Sequence, residues 1–193
     1  MSTEKLNIKN VKFNRRTVIA VIGIAMALFH LYTGVFGSLE ALKQVSIHLM
    51  FALVLVFLIF PVKKGSEKRG FLPWYDWIFL LASVASLGYI LVRFDWVAFD
   101  RFRFVTPLKP LEFLFGITLI VVLLEAARRT IGLFLTIVAG VFIVYPFSGP
   151  YLPRFMSHPG ISLNNFLELQ YLSGGGIFGT PSIISATYIV LFI

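Results

Sequence analysis

Two histidines and a handful of charged residues are the groups here whose types and spacing could do chemistry. His30 follows Thr17 by 13 residues and His48 precedes Pro61 by 13. If these stretches are antiparallel helices, the two imidazoles lie at similar depth, as paired axial ligands of a membrane haem must. The plainer reading is that each ring hydrogen-bonds a neighbouring helix or sits near the outer interface, with Gly34 and Gly37 serving helix packing or a helix end. Asp76 stands among Trp74, Tyr75 and Trp77. Aromatic residues at the mouth of an apolar run form an interfacial belt. An acid in the first turn after Pro73 meets the positive end of a helix dipole. Asp76 is therefore expected to anchor a helix start, with a proton relay as the alternative. Glu125, Arg128 and Arg129 have i, i+3 and i, i+4 spacing, which pairs them on one helix face. They form either a solvated turn or a clamp between subunits at the cytoplasmic surface.

Other candidates are weaker. Gly174-Gly-Gly176 and Gly179-Thr-Pro181 lack the Lys-Ser/Thr of a phosphate loop, so they are read as a break that lets a helix enter the membrane. Ser185 and Thr187 are expected as packing hydroxyls. No His or carboxylate lies near them in sequence to act as a base, which leaves open a neighbour in space. The chain has no cysteine, so disulfides, thiolate metal sites and Cys nucleophiles are excluded. No catalytic residue and no metal site is assigned.

The elements that must position these groups are membrane helices. Hydrophobic residues make up 58% of the 193 and charged residues only 13%, with a mean hydropathy of +0.88. A soluble domain averages roughly 45–50% apolar residues, and so few charges could not coat a globule in water. A bilayer core of roughly 30 Å takes about 20 apolar residues as helix. Spans are expected at Thr17–Gly37, Val45–Pro61, Phe71–Val92, Leu111–Leu124 and Ile131–Phe147. Glu125 to Thr130 contains no Gly or Pro, yet one helix from Leu111 to Phe147 would be about 55 Å long at 1.5 Å per residue. A tight hairpin is expected there, with a strongly tilted or bent helix as the alternative. Residues 148–176 form an extracytoplasmic loop carrying a short amphipathic helix from Ser162, its N-cap, to Leu172. The apolar stretch from Ser182 to Ile193 is expected to be a sixth span broken off partway.

The net charge of +8 does not point to nucleic acid, because the basic residues cluster beside apolar runs rather than on one face. With the five spans alternating, one side collects 11 basic and four acidic residues and the other six and five. The positive-inside rule then puts the N-terminal tail, residues 1–16, in the cytoplasm. The expected architecture is an all-α, polytopic membrane bundle of five complete helices and the start of a sixth.

Several segments occur in an order that resembles one family. These are Phe29-His-Leu-Tyr-Thr-Gly-Val-Phe-Gly37, Gln44-Val-Ser-Ile-His-Leu49, Pro73-Trp-Tyr-Asp-Trp77, Leu124-Glu-Ala-Ala-Arg-Arg-Thr-Ile-Gly132, Phe147-Ser-Gly-Pro-Tyr-Leu-Pro153, Gly176-Ile-Phe-Gly-Thr-Pro181 and Ser185-Ala-Thr187. Together they resemble the start of fused TRAP transporter permeases, in which the small and large membrane subunits are one chain. The resemblance covers nearly all of the chain from Arg16 onward. It implies that residues 17–147 are the small-subunit-like domain with a connecting helix, and that 177–193 open the large, transporting domain. It further implies a multi-pass protein of a prokaryotic inner membrane, not an enzyme. A small, anionic solute would be delivered by an extracytoplasmic solute-binding protein, with sodium as the coupling ion. The partners so implied are that protein, the lipid bilayer and the rest of the permease. Substrate and sodium sites belong to the large subunit, so no substrate-binding residue is assigned in this chain.

Overall fold

The computed structural model describes residues 15–62 and 73–192, and every regular element among them is helical. The basic residues of 1–14 and 63–72 that enter the charge count, and the start of the third span at Phe71, lie outside the described residues. Five long helices follow the five apolar runs: α1 (Arg15–Phe36), α2 (Ala41–Ile59), α3 (Trp74–Val92), α4 (Pro110–Thr130) and α5 (Leu133–Ser148). At 1.5 Å per residue their lengths match the hydrocarbon thickness of a bilayer. α5 buries none of its residues, and α1 turns Val21, Ile24, Leu28 and Leu31 outward. An apolar surface on that scale is tolerated where the solvent is acyl chain rather than water. The chain is thus a multi-pass helical membrane protein.

Local chemistry explains where these helices start. α2 begins four residues before the expected Val45, because the Glu40 side chain accepts from the backbone N–H of Leu42 at 2.8 Å and Lys43 at 3.3 Å. α4 opens with Pro110 at its first position, where a missing N–H costs nothing. α2 lies at the centre. Its Val45, Leu53 and Phe57 meet Leu87 and Ile90 of α3 and Leu119 and Val122 of α4 in one buried cluster.

α4 and α5 form the hairpin. The Glu125–Thr130 stretch is the last turn and a half of α4 rather than the turn itself. The breaker stands two residues beyond it. Gly132 adopts φ +106, ψ 175 and donates its N–H to the Ala127 carbonyl at 3.2 Å. That backbone region is essentially closed to residues with a Cβ. α5 then returns along α4, and the two share an apolar cleft. Gly132→Ala is expected to lower unfolding stability by about 1–3 kcal/mol. Denaturant titration in detergent, followed by circular dichroism, checks this, and an unchanged midpoint would contradict the assignment of Gly132 as the obligatory turn residue.

The last third differs from expectation. α6 (Leu163–Tyr171) is capped by Ser162, whose Oγ accepts from the Asn165 N–H at 3.2 Å. One of its faces packs into the bundle. Phe166, Leu167 and Tyr171 are buried, Leu167 and Tyr171 sit against Gly116 of α4, and the Tyr171 hydroxyl donates to the Ser86 carbonyl of α3 at 2.5 Å. After a short turn at Gly176–Phe178 comes α7 (Thr180–Phe192), with a π-helical turn at Ser185–Ile189. α6 and α7 meet at a bend of 47°, as a broken span or a re-entrant loop does. Among the described residues, five helices are long and apolar enough to cross a membrane, or six if this bent pair is one span.

Candidate functional site

Polar side chains gather in three places, one at each end of the bundle and one within it. At the end holding the start of α3 and the close of α4, Arg129 is the hub. Its Nη1 donates to Asp76 Oδ1 at 2.7 Å and to the Phe60 carbonyl, and its Nε donates to Glu125 Oε1 at 2.7 Å. The guanidinium carbon lies 4.8 Å from the Phe57 ring centre and 5.1 Å from that of Phe79. Those rings stack at 5.5 Å, so the cation is held against aromatic faces. The Arg129 side chain is 2% exposed and that of Asp76 0%. Arg128 makes a bidentate pair with Glu125 on the outside of α4. Arg15 of α1 donates to the Leu58 carbonyl at 2.6 Å and to that of Ile59, taking up free carbonyls at the end of α2.

The expected i, i+3 and i, i+4 pairs are therefore present, but on a helix and not in a solvated turn. Asp76 does lie in the first turn of α3. It turns inward to Arg129 and is fully buried, whereas Trp74 and Trp77 carry the outward aromatic surface. The Arg129–Asp76 pair joins α4 to α3 within this one chain, while Glu125 and Arg128 bond along α4 itself.

The opposite end holds a buried charge knot that the sequence did not reveal. Arg101, in the connection between α3 and α4, is its centre. Its Nη1 meets Glu112 Oε2 at 2.9 Å, its Nη2 lies 3.4 Å from Glu168 Oε2, and the same Nη2 donates to the Thr106 carbonyl. Glu112 also accepts from the Tyr89 hydroxyl, the Trp96 indole N–H and the Lys109 backbone N–H. Glu168 accepts from the Phe104 N–H at 2.7 Å. Side-chain exposure is 1% for Arg101 and 0% for Glu112. The knot ties the 93–109 connection to α4 and α6. It holds Phe104 at φ +60, a left-handed conformation that costs a residue with a Cβ about 1–2 kcal/mol.

Between these ends, a polar seam joins the α1–α2 hairpin to α7. His48 Nδ1 and His30 Nε2 are 3.1 Å apart, and His30 Nδ1 lies 2.7 Å from the Met26 carbonyl. A carbonyl only accepts, so His30 carries its proton on Nδ1. With His30 neutral, its Nε2 then accepts from His48 Nδ1–H, which leaves His48 Nε2 as an acceptor 3.4 Å from Ser185 Oγ. Beside this chain the Gln44 amide donates to Thr33 Oγ1 at 3.2 Å and to the Ala186 carbonyl at 3.1 Å. That carbonyl belongs to the π-helical turn.

The depth matching read from sequence is real, and it brings the two histidines into contact. A haem held by two axial imidazoles needs room for a macrocycle between them. Here the rings hydrogen-bond directly, with centroids 5.1 Å apart, and leave no such slot. Among the described residues no three of His, Asp and Glu converge as a metal-binding set. Ser185 does have a histidine as its spatial neighbour. Its own backbone N–H is bonded to the Pro181 and Ser182 carbonyls and is not free to stabilise an oxyanion. Thr187 bonds back to the Ile183 carbonyl, as a packing hydroxyl does. The seam joins helices. Comparison with family models finds no match to this chain, and comparisons with curated proteins and with solved structures find none either.

Proposed function

We propose that this chain is the N-terminal membrane portion of a TRAP-type secondary transporter permease, and that it braces the transporting domain. Support comes from the ordered series of motifs from Phe29 to Thr187, and from what those residues do in the fold. The observation that carries the reading is the docking of α7 on the α1–α2 hairpin. Gln44 takes the Ala186 carbonyl, His48 takes Ser185, and Leu191 packs onto Gly34, where a Cβ would come within 3.0 Å of it. In the resemblance α7 opens the transporting part and the hairpin belongs to the small-subunit-like part. A rigid flank matters where transport moves one portion of a bundle against another.

On this reading the N-terminus is cytoplasmic in a prokaryotic inner membrane. An extracytoplasmic binding protein delivers a small, anionic solute, sodium drives its uptake, and the chain has no enzymatic role. Reading the coding frame past Ile193 is the first test, and further apolar segments interrupted by re-entrant hairpins are expected. In the whole permease, removing residues 1–147 should then abolish sodium-driven uptake. Unchanged uptake would refute the bracing role, and a stop codon directly after Ile193 would refute the permease itself.

A further inference from the structure

The turn that follows Arg101 presents apolar side chains outward in an unusual way. Phe102 is 74% exposed and Val105 79%, with Phe99 and Phe104 also in the open. Much of the backbone beneath them is paired within the fold. Phe102 N–H donates to Thr106 Oγ1, Val105 and Thr106 N–H donate to the Phe102 carbonyl, Phe104 N–H donates to Glu168, and Arg101 takes the Thr106 carbonyl. A loop that lives in water has no need to pair its own peptide groups, because water pairs them. A loop that enters a low-dielectric zone must. Phe104 stands at φ +60, where glycine would fit without strain, so the turn keeps an aromatic side chain at a conformational cost.

We propose that this turn inserts into the headgroup–acyl boundary of the bilayer at the Arg101 end, as an interfacial anchor. Phe102, Phe104 and Val105 enter the acyl edge, and Arg103, exposed between them, meets lipid phosphate. Two features favour lipid over a protein partner. Val92 at the close of α3 and Leu111 at the opening of α4, the helix ends that border the connection, are exposed as well. A second connection at the same end, between α5 and α6, repeats the pairing of exposed aromatics with an arginine in Tyr151, Arg154 and Phe155. The buried charge knot then has a purpose: it sets the height of the anchor relative to α4 and α6. The inference requires only that the chain spans a bilayer, so its failure and the failure of the transport reading are separate events.

The absence of cysteine makes the test direct. Phe102→Cys and Val105→Cys are each labelled with a nitroxide and reconstituted in phosphatidylethanolamine–phosphatidylglycerol vesicles. Val141→Cys on the exposed face of α5 serves as the lipid reference. Both test positions are exposed, so the fold tolerates the label. Collision with oxygen is expected to exceed collision with a water-soluble nickel chelate severalfold at both positions, as at Val141. Nickel-dominated collision would overturn the proposal, since the turn would then stand in water. Shielding from both reagents would overturn it equally, by showing a protein contact.

Discussion

Replacing Arg101 with Met should destabilise the protein by about 3–5 kcal/mol, because it strands two buried carboxylates around one missing cation. The two are not equally exposed to the loss. Glu112 keeps the Tyr89, Trp96 and Lys109 donors, whereas Glu168 keeps only the Phe104 N–H. Most of the penalty should therefore fall on α6 and the aromatic turn. Adding Glu168→Gln to Arg101→Met should recover more stability than adding Glu112→Gln. Arg101→Lys should fall between wild type and Met, since an ammonium can meet one carboxylate but lacks the planar fork that spans two. Denaturant unfolding in detergent micelles measures all four variants. A loss below about 1 kcal/mol for Arg101→Met, the range of surface ion pairs, would mean that the knot is not sealed from water.

The second large effect is expected at Arg129. Arg129→Met leaves Asp76 charged, fully buried and without its cation, at a cost again of about 3–5 kcal/mol. Asp76→Asn in the same background should restore much of that, and the double-mutant cycle isolates the coupling. Arg128→Ala is the contrast. Its side chain is 41% exposed, and an outward helix pair of this kind contributes about 0–1 kcal/mol. Adjacent arginines of identical chemistry should thus differ several-fold in effect. If the two substitutions cost the same, the burial of Arg129 as described is incorrect.

These contrasts also mark what could be read from the sequence. The five spans were legible because an apolar run of bilayer length has few other uses. The Glu125 pairs were legible because helical spacing alone specifies them. The depth of His30 and His48 followed from counting residues along two antiparallel rods, although counting could not say that the rings face each other. Asp76 was legible as a residue of the first turn of α3, but its burial was not, because its partner lies 53 residues away. The Arg101 knot was missed for the same reason: Phe104 and Glu168 are 64 residues apart, and no local pattern links them. A signal did exist, in a glutamate at the third position of a helix opened by Lys109-Pro110. Such a residue turns back to cap the chain, as Glu112 does through the Lys109 N–H. Gly132 was not legible as the turn because it lies past the charged stretch, where a lone glycine beside an apolar run gives no clear turn signal.

The polar seam between the hairpin and α7 has a consequence for the order in which the protein is made. Gln44 and the Ala186 carbonyl it caps are 142 residues apart. At elongation rates of about 5–20 residues per second, about 7–30 s separate the synthesis of the donor from that of its acceptor. During that interval α1 and α2 can already leave the insertion machinery as a pair, with His30 beside His48, and with Thr33 and the Leu39 N–H beside Gln44. The hairpin is therefore a provisional intermediate whose inner face is finished by a helix made much later. Ribosome stalling before α7 would leave an amide and an imidazole facing acyl chains, the kind of surface that membrane proteases and insertases act upon.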